Sequence, residues 1–324
     1  MSLRITRLFR ILGSAIAILL VAVLLAVVAV LTWPLDGGDL HPAGQRLTFA
    51  DARARIDGKI AADAADPGIL PECRSLSLIH EVRPAARSVL LLYGFTACPA
   101  QFAELARTFH DQGYNVYVPL APRHGYADRT ALGGLRAQDL ATYASDALDV
   151  AGALGAEAGV VGLSGGGMLT TRLVTERPDD VRRLLVISPF YRPGPDRAAP
   201  ILIRPLAVLY GLRVLPDRVD EKNMSFTALA QYVRLTETLD VGRTGGNLAS
   251  IAVVTSVNDS LIGLGRAVSI PRAVAQARGL SLATHEFPAE AGLPHDLVEP
   301  DDIGAAKDDA YRLYLRLYEG RSAS

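Results

Sequence analysis

Gly159-Val160-Val161-Gly162-Leu163-Ser164-Gly165-Gly166, followed by the helix-like segment Met168 to Thr175, is the stretch that decides the fold. An apolar run ends in a tight turn with Ser164 at its tip, and a helix begins at once. A strand-to-helix turn this sharp crowds the backbone around the serine, so glycine is wanted two residues to either side, at Gly162 and Gly166. The turn lifts the hydroxyl above the sheet. It also leaves the N–H of Gly165 at a helix N-terminus, where it can stabilise an oxyanion. The pattern is a weak signal by itself in a chain with 29 glycines, and it requires an acid and a histidine downstream.

Of the six histidines (His41, His80, His110, His124, His285 and His295), only the last two lie beyond Ser164. His285 falls inside the strand-like run Ala283-Thr284-His285-Glu286-Phe287, where one face of a sheet would fix it. His295 lies in the loop Gly292-Leu293-Pro294-His295-Asp296, free to reach a serine hydroxyl as general base. For the acid, Ile251-Ala252-Val253-Val254-Thr255 reads as a buried parallel strand, and Asp259 follows its C-terminal end. There it would orient the imidazole of His295 and stabilise its positive charge. Two competing readings are Asp259 as the N-cap of a helix over Ser260 to Val268, and Asp196 as the acid. Asp196 lies in a Pro/Gly-rich stretch well past its strand.

A further apolar strand, Ser88 to Tyr93, runs into Gly94-Phe95-Thr96-Ala97-Cys98-Pro99. Pro99 suits a first helical turn, and Phe102, Leu105, Ala106 and Phe109 give Gln101 to His110 helical spacing. The turn between would bring the N–H of Phe95 near Gly165 as a second oxyanion donor.

On these residues the chain resembles the α/β-hydrolase superfamily, and within it the small carboxylesterases and monoacylglycerol lipases whose oxyanion loop reads His-Gly-Phe-Thr. The resemblance rests on Gly94-Phe95-Thr96 with Pro99, the Pro122-Arg123-His124-Gly125 loop, the Ser164 elbow, and Asp259 and His295 in the family's order; it covers about Leu76 to Tyr318. It implies a Ser-His-Asp triad acting on small-molecule esters, lipid-derived ones among them, without a cofactor. Tyr93 departs from it, standing where those relatives carry histidine, which bears on oxyanion-loop packing and acyl preference.

Composition removes other classes. A net charge of −1 carries no basic excess for nucleic acid. Two cysteines spaced as Cys73 and Cys98 form neither a CxxC pair nor a zinc site, and no HExxH, HxxEH or GxxxxGK[ST] pattern appears.

Ile11 to Trp33 is uncharged over 23 residues, about 35 Å of helix and enough to cross a bilayer. A cleaved secretory signal would carry a shorter apolar core and a small-x-small site, and a buried core helix is the third reading. Arg4, Arg7 and Arg10 precede the run, and Asp36 and Asp39 follow it. The positive-inside rule then keeps the N-terminus cytoplasmic and puts the catalytic domain outside the inner membrane. In an oxidising compartment Cys73 and Cys98 would bridge; otherwise they are inert core thiols.

The expected organisation is a basic tip over 1–10, an anchor over 11–33, a stem over 34–75 with one amphipathic helix from Leu47 to Ala62, and an α/β-hydrolase domain over 76–320. Strands are expected at Leu76–Val82, Ser88–Tyr93, Asn115–Pro119, Gly159–Leu163, Leu184–Ser188, Ile251–Thr255 and Ala283–Phe287. Helical patterns such as Asp139 to Leu154 lie between them, which implies a mostly parallel sheet covered on both faces. The gap from Pro189 to Asn247 is too long for a plain connection and should carry a cap. Its apolar run Ile201 to Tyr210 would line an acyl pocket, pack the cap on the core, or touch the membrane surface. Thioester, amide, C–C or perhydrolase chemistry on the same triad, and a catalytically silent binding module, are the rival functions.

Overall fold

The computed structural model describes residues 2–35, 40–80, 83–220 and 224–321, with backbone only for residues 2–9. Among the described residues, seven strands form one sheet: β1 (Leu76–Leu78), β2 (Ala85–Leu92), β3 (Tyr114–Val118), β4 (Gly155–Leu163), β5 (Arg183–Ile187), β6 (Ser250–Ser256) and β7 (Ala283–Phe287). Their order is β1-β3-β2-β4-β5-β6-β7. Among the described strands only β1 runs antiparallel, pairing Leu76 with Val118 and Leu78 with Val116.

Each central strand reads as a continuous apolar run because both faces of the sheet are buried. Alternate side chains go to opposite sides. Leu90, Val160, Leu184, Val186, Ile251 and Val253 enter one core. Val89, Leu91, Val161, Leu185, Ala252 and Val254 enter the other. The first face is covered by α4 (Ala137–Leu154), α5 (Gly165–Glu176) and α8 (Leu264–Ala277), the second by α3 (Ala103–Asp111) and α10 (Lys307–Tyr318). The remaining helices are α1 (Ser2–Thr32), α2 (Phe49–Ala65), α6 (Pro200–Leu209), α7 (Phe226–Glu237) and the short α9 (Pro300–Ile303).

The segment expected as a stem is instead built into the fold. Thr48 caps α2 in a capping box with Asp51, and the helix buries Ala52 and Ile56 against α4. Arg172, 2% exposed at the middle of α5, explains why the chain before α2 follows it inward. Its guanidinium donates to the carbonyls of Leu40 and of Leu235 in α7, and to Thr238 Oγ1. It also pairs with Glu176. A buried guanidinium needs such partners, and backbone carbonyls from the entering chain supply part of them. Sequence periodicity carries no sign of this contact.

Helix α1 is longer than the expected anchor. Its Arg10–Thr32 portion, with mean hydropathy 3.2, is unburied and long enough to cross a membrane. Arg204 of α6 donates to the carbonyl of Trp33 at 2.6 Å, so α6 lies beside the end of this helix. Asp36 and Asp39, and Glu81 and Val82 of the expected first strand, lie outside the described residues.

Several helix starts are displaced by a few residues, and two displacements bear on the site. Residues Pro99–Phe102 form a 3-10 turn ahead of α3. The helix after Asp259 begins at Leu264 rather than Ser260. The cause is Asp259 itself, whose Oδ1 accepts from the N–H groups of Leu261 at 2.9 Å and Ile262 at 3.4 Å, making a side-chain turn in place of a helical one.

Candidate active site

Ser164 sits between β4 and α5 with φ 53° and ψ −117°, a backbone conformation that a side chain pays for in strain. Its own N–H donates to Ile187 O at 3.0 Å, and its carbonyl accepts from Phe190 and Met168, so both neighbours of the turn are held. The flanking glycines are a packing requirement. A Cβ on Gly162 would come 2.3 Å from Gly166 O, and one on Gly166 would come 1.8 Å from Leu92 O.

His295 and Asp259 arrive from the loops after β7 and β6. His295 Nε2 lies 2.9 Å from Ser164 Oγ, and its Nδ1 lies 2.6 Å from Asp259 Oδ2. Asp259 is 5% exposed and Ser164 9%. With Oδ1 held by backbone N–H groups, the carboxylate of Asp259 has one oxygen left to orient the imidazole. Asp196 makes no described bond to His295, and His285 lies in β7 against Phe287, ring centroids 4.6 Å apart.

The turn after β2 lies beside the serine: a Cβ on Gly94 would be 3.7 Å from Ser164 Cβ. Phe95 is buried, edge-on to Tyr232 of α7 at 5.2 Å. Tyr232 also closes on the elbow, since a Cβ on Gly165 would meet its ring at 2.7 Å. The Pro189 to Asn247 insertion therefore reaches over the site through α7. His124 is buried, with Nδ1 2.8 Å from Pro122 O. Burial holds its pKa below the ordinary histidine value, against hydrogen bonds to the backbone of Pro122 and Phe95. The His124 ring thus packs beneath the Phe95 turn, ring centroids 6.5 Å apart. Tyr93 has its own partner: its hydroxyl accepts from the N–H of Ala121 at 2.5 Å, and burial pushes its pKa well up.

Two residues at the site escape sequence reasoning. Gln101, in the 3-10 turn, accepts from Gly94 N–H at 2.8 Å and donates from Nε2 to Asp296 Oδ2 at 2.5 Å. Asp296 adjoins His295, so its position in the chain was a signal. Nothing in the sequence pairs it with a glutamine 195 residues away.

Cys73 and Cys98 are joined by a disulfide with Cα atoms 5.1 Å apart. Cys98 precedes the 3-10 turn that carries Gln101, so the bond anchors the far end of the Phe95 turn. Closing a loop of 25 residues stabilises by about 3.5 kcal/mol in the chain-entropy account. Reduction, or Cys73→Ser, should therefore lower the melting temperature and the turnover of the purified protein together. Unchanged melting after complete reduction, with both thiols then alkylated, would rule this out.

Residues 83–238 match the family model described as serine aminopeptidase, S33. No curated protein sequence matches the chain. Among solved structures, one of the metagenome-derived lipolytic enzymes LipS and LipT is similar with a TM-score of 0.56 at 18% identity, over 78% of this chain and 100% of the other. The Paleococcus ferrophilus monoacylglycerol lipase gives 0.56 at 15% identity, over 76% and 98%. A soluble variant of the Saccharomyces cerevisiae monoglyceride lipase gives 0.53 at 11% identity, over 75% and 91%. Identities this low carry the fold and leave the substrate open. With its mostly parallel seven-stranded sheet, its elbow after β4, the family-model match over residues 83–238 and these structural likenesses, the chain has the α/β-hydrolase fold.

Proposed function

We propose that the chain is a membrane-anchored serine hydrolase that cleaves carboxylic esters. The reading rests on the hydrogen-bonded line from Asp259 through His295 to Ser164, set at a strained elbow. Ser164 Oγ attacks the acyl carbon as His295 Nε2 takes its proton, and the ionised Asp259 stabilises the imidazolium. The N–H groups of Phe95 and Gly165 receive the tetrahedral oxyanion. His295 then protonates the departing alcohol, which leaves an ester of Ser164. Water, deprotonated by His295, repeats the attack and frees the acid. These steps call on no metal or cofactor.

Esters of small or lipid-derived alcohols are favoured by the likeness to lipases and by apolar residues on the insertion, among them the exposed Ile201 and Leu202. Amide cleavage is the second reading, favoured by the serine-aminopeptidase description of the matched family model. Labelling by a fluorophosphonate, followed by turnover of matched p-nitrophenyl esters, thioesters and aminoacyl amides of graded length, separates them. Amides turned over faster than esters would replace the first reading by the second, and no labelling at all would remove both.

The unburied apolar stretch Arg10–Thr32 supports a retained anchor with its N-terminus in the cytoplasm, and the disulfide supports an oxidising location for the domain. Protease added to cells whose outer layer has been opened should then degrade the catalytic domain. Recovery of a soluble form beginning near residue 30 would identify the stretch as a cleaved signal instead.

A further inference from the structure

We infer that Gln101 is a positioning residue that locks the oxyanion turn and the catalytic histidine loop into one unit. This inference rests on the serine mechanism proposed above and extends it to a residue that never touches the reacting atoms.

The two loops come from opposite ends of the domain sequence and have separate supports. Gly94 is held at both ends of its residue, its N–H donating to Gln101 Oε1 and its carbonyl accepting from Ala97 N–H at 3.1 Å. The N–H of Phe95 follows directly. On the other side, Asp296 Oδ1 accepts from the N–H groups of Val298 and Glu299, both at 2.9 Å. The hydroxyls of Tyr311 and Tyr314 on α10 donate to the carbonyls of Val298 and Leu297. Among the described hydrogen bonds, the amide of Gln101 is what spans the two loops.

Its chemistry is matched to the task. Gly94 presents a donor and Asp296 presents an ionised acceptor, so the spanning side chain must accept at one atom and donate at the next. A glutamine amide does so in one orientation only; flipping it would set N–H against N–H and oxygen against carboxylate. Gln101 is 8% exposed, so water is a poor substitute for either bond. The disulfide at Cys98 holds the base of the same turn. A shift of the Gly94 peptide would swing the Phe95 N–H away from the oxyanion, while a shift of Asp296 would carry His295 with it. Both errors matter in the transition state more than in substrate binding.

The test uses the full chain in detergent and a short p-nitrophenyl ester. Gln101→Met keeps the length and removes both bonds. It should lower kcat about 10–100-fold with KM changed less than about threefold, and weaken a trifluoromethyl ketone oxyanion mimic in the same ratio as kcat/KM. Gln101→Glu and Asp296→Asn should each behave alike, since each leaves two like groups facing. The double variant Gln101→Glu/Asp296→Asn exchanges donor and acceptor at unchanged charge. The introduced carboxylate accepts from Gly94 N–H and from the introduced amide, and kcat should recover about tenfold or more over either single variant. A purely structural role predicts no such recovery. Gln101→Met with kcat within about twofold of the parent, or a double variant no better than the singles, overturns the inference. Ser164→Ala is run beside them: if it retains turnover, the serine mechanism itself fails, whatever Gln101 does.

Discussion

Replacing Ser164 by alanine should lower ester turnover about 10⁵–10⁶-fold while the protein melts as before, and His295→Ala should do nearly the same. The two losses should not add, because hydroxyl and imidazole act as one unit through the 2.9 Å contact between them. Asp259→Asn should cost about 10⁴-fold, since an amide at 2.6 Å from Nδ1 favours the wrong tautomer of His295. The carboxylate's other oxygen accepts two backbone N–H groups, and asparagine keeps that capacity, so folding should survive. Asp196→Asn should be nearly silent. Steady-state kinetics with a p-nitrophenyl ester, checked by fluorophosphonate labelling and thermal melting, reads all four. Folded Ser164→Ala working near the parent rate would end the mechanism. Full activity in Asp259→Asn with a dead Asp196→Asn would move the acid to the other strand.

The largest stability effect is expected at a glycine. A Cβ on Gly166 would lie 1.8 Å from Leu92 O and 2.6 Å from Tyr93 O, inside backbone atoms of β2 and of the turn that follows it. No rotamer relieves an overlap with backbone, so α5 would have to move off the sheet and take Ser164 with it. Gly166→Ala should therefore cost about 4 kcal/mol or more and abolish turnover. For a domain of this size that is a fall in melting temperature of about 10 °C or more. Gly265→Ala is the control. That glycine lies in the first turn of α8 with nothing within 4 Å of its Cβ position, and alanine there should be neutral or stabilise by up to about 1 kcal/mol. If Gly166→Ala melts like Gly265→Ala, the close approach of α5 to β2 is not what holds the elbow.

Much of this molecule was legible along the chain because the signals are local. An apolar run between glycines marks a parallel strand whether or not its neighbours are known, and each of the seven expected strands is present, although β1 stops at Leu78 and β2 and β4 begin three and four residues before their apolar runs. Ser164, Asp259 and His295 could be named as candidates because each follows a strand, and the C-terminal ends of parallel strands converge on one edge, where the three lie within hydrogen-bonding distance in a line. The limits of that reading appear where one side chain serves two elements. Asp259 caps no helix: its Oδ1 closes a side-chain turn ahead of α8 while its Oδ2 meets His295 Nδ1.

What the tertiary structure alone decided are the contacts between residues far apart in sequence. The stretch that reads as a stem packs onto the domain, because Arg172 donates to the Leu40 carbonyl and α2 buries Ala52 and Ile56 against α4. Gln101 and Asp296, unremarkable in their own segments, meet across the mouth of the sheet. Cys73 and Cys98 have the right types but no readable distance until the fold brings their Cα atoms to 5.1 Å. Periodicity reports which face of an element is buried. Which partner satisfies a buried polar group depends on how the elements pack, and that is set in three dimensions.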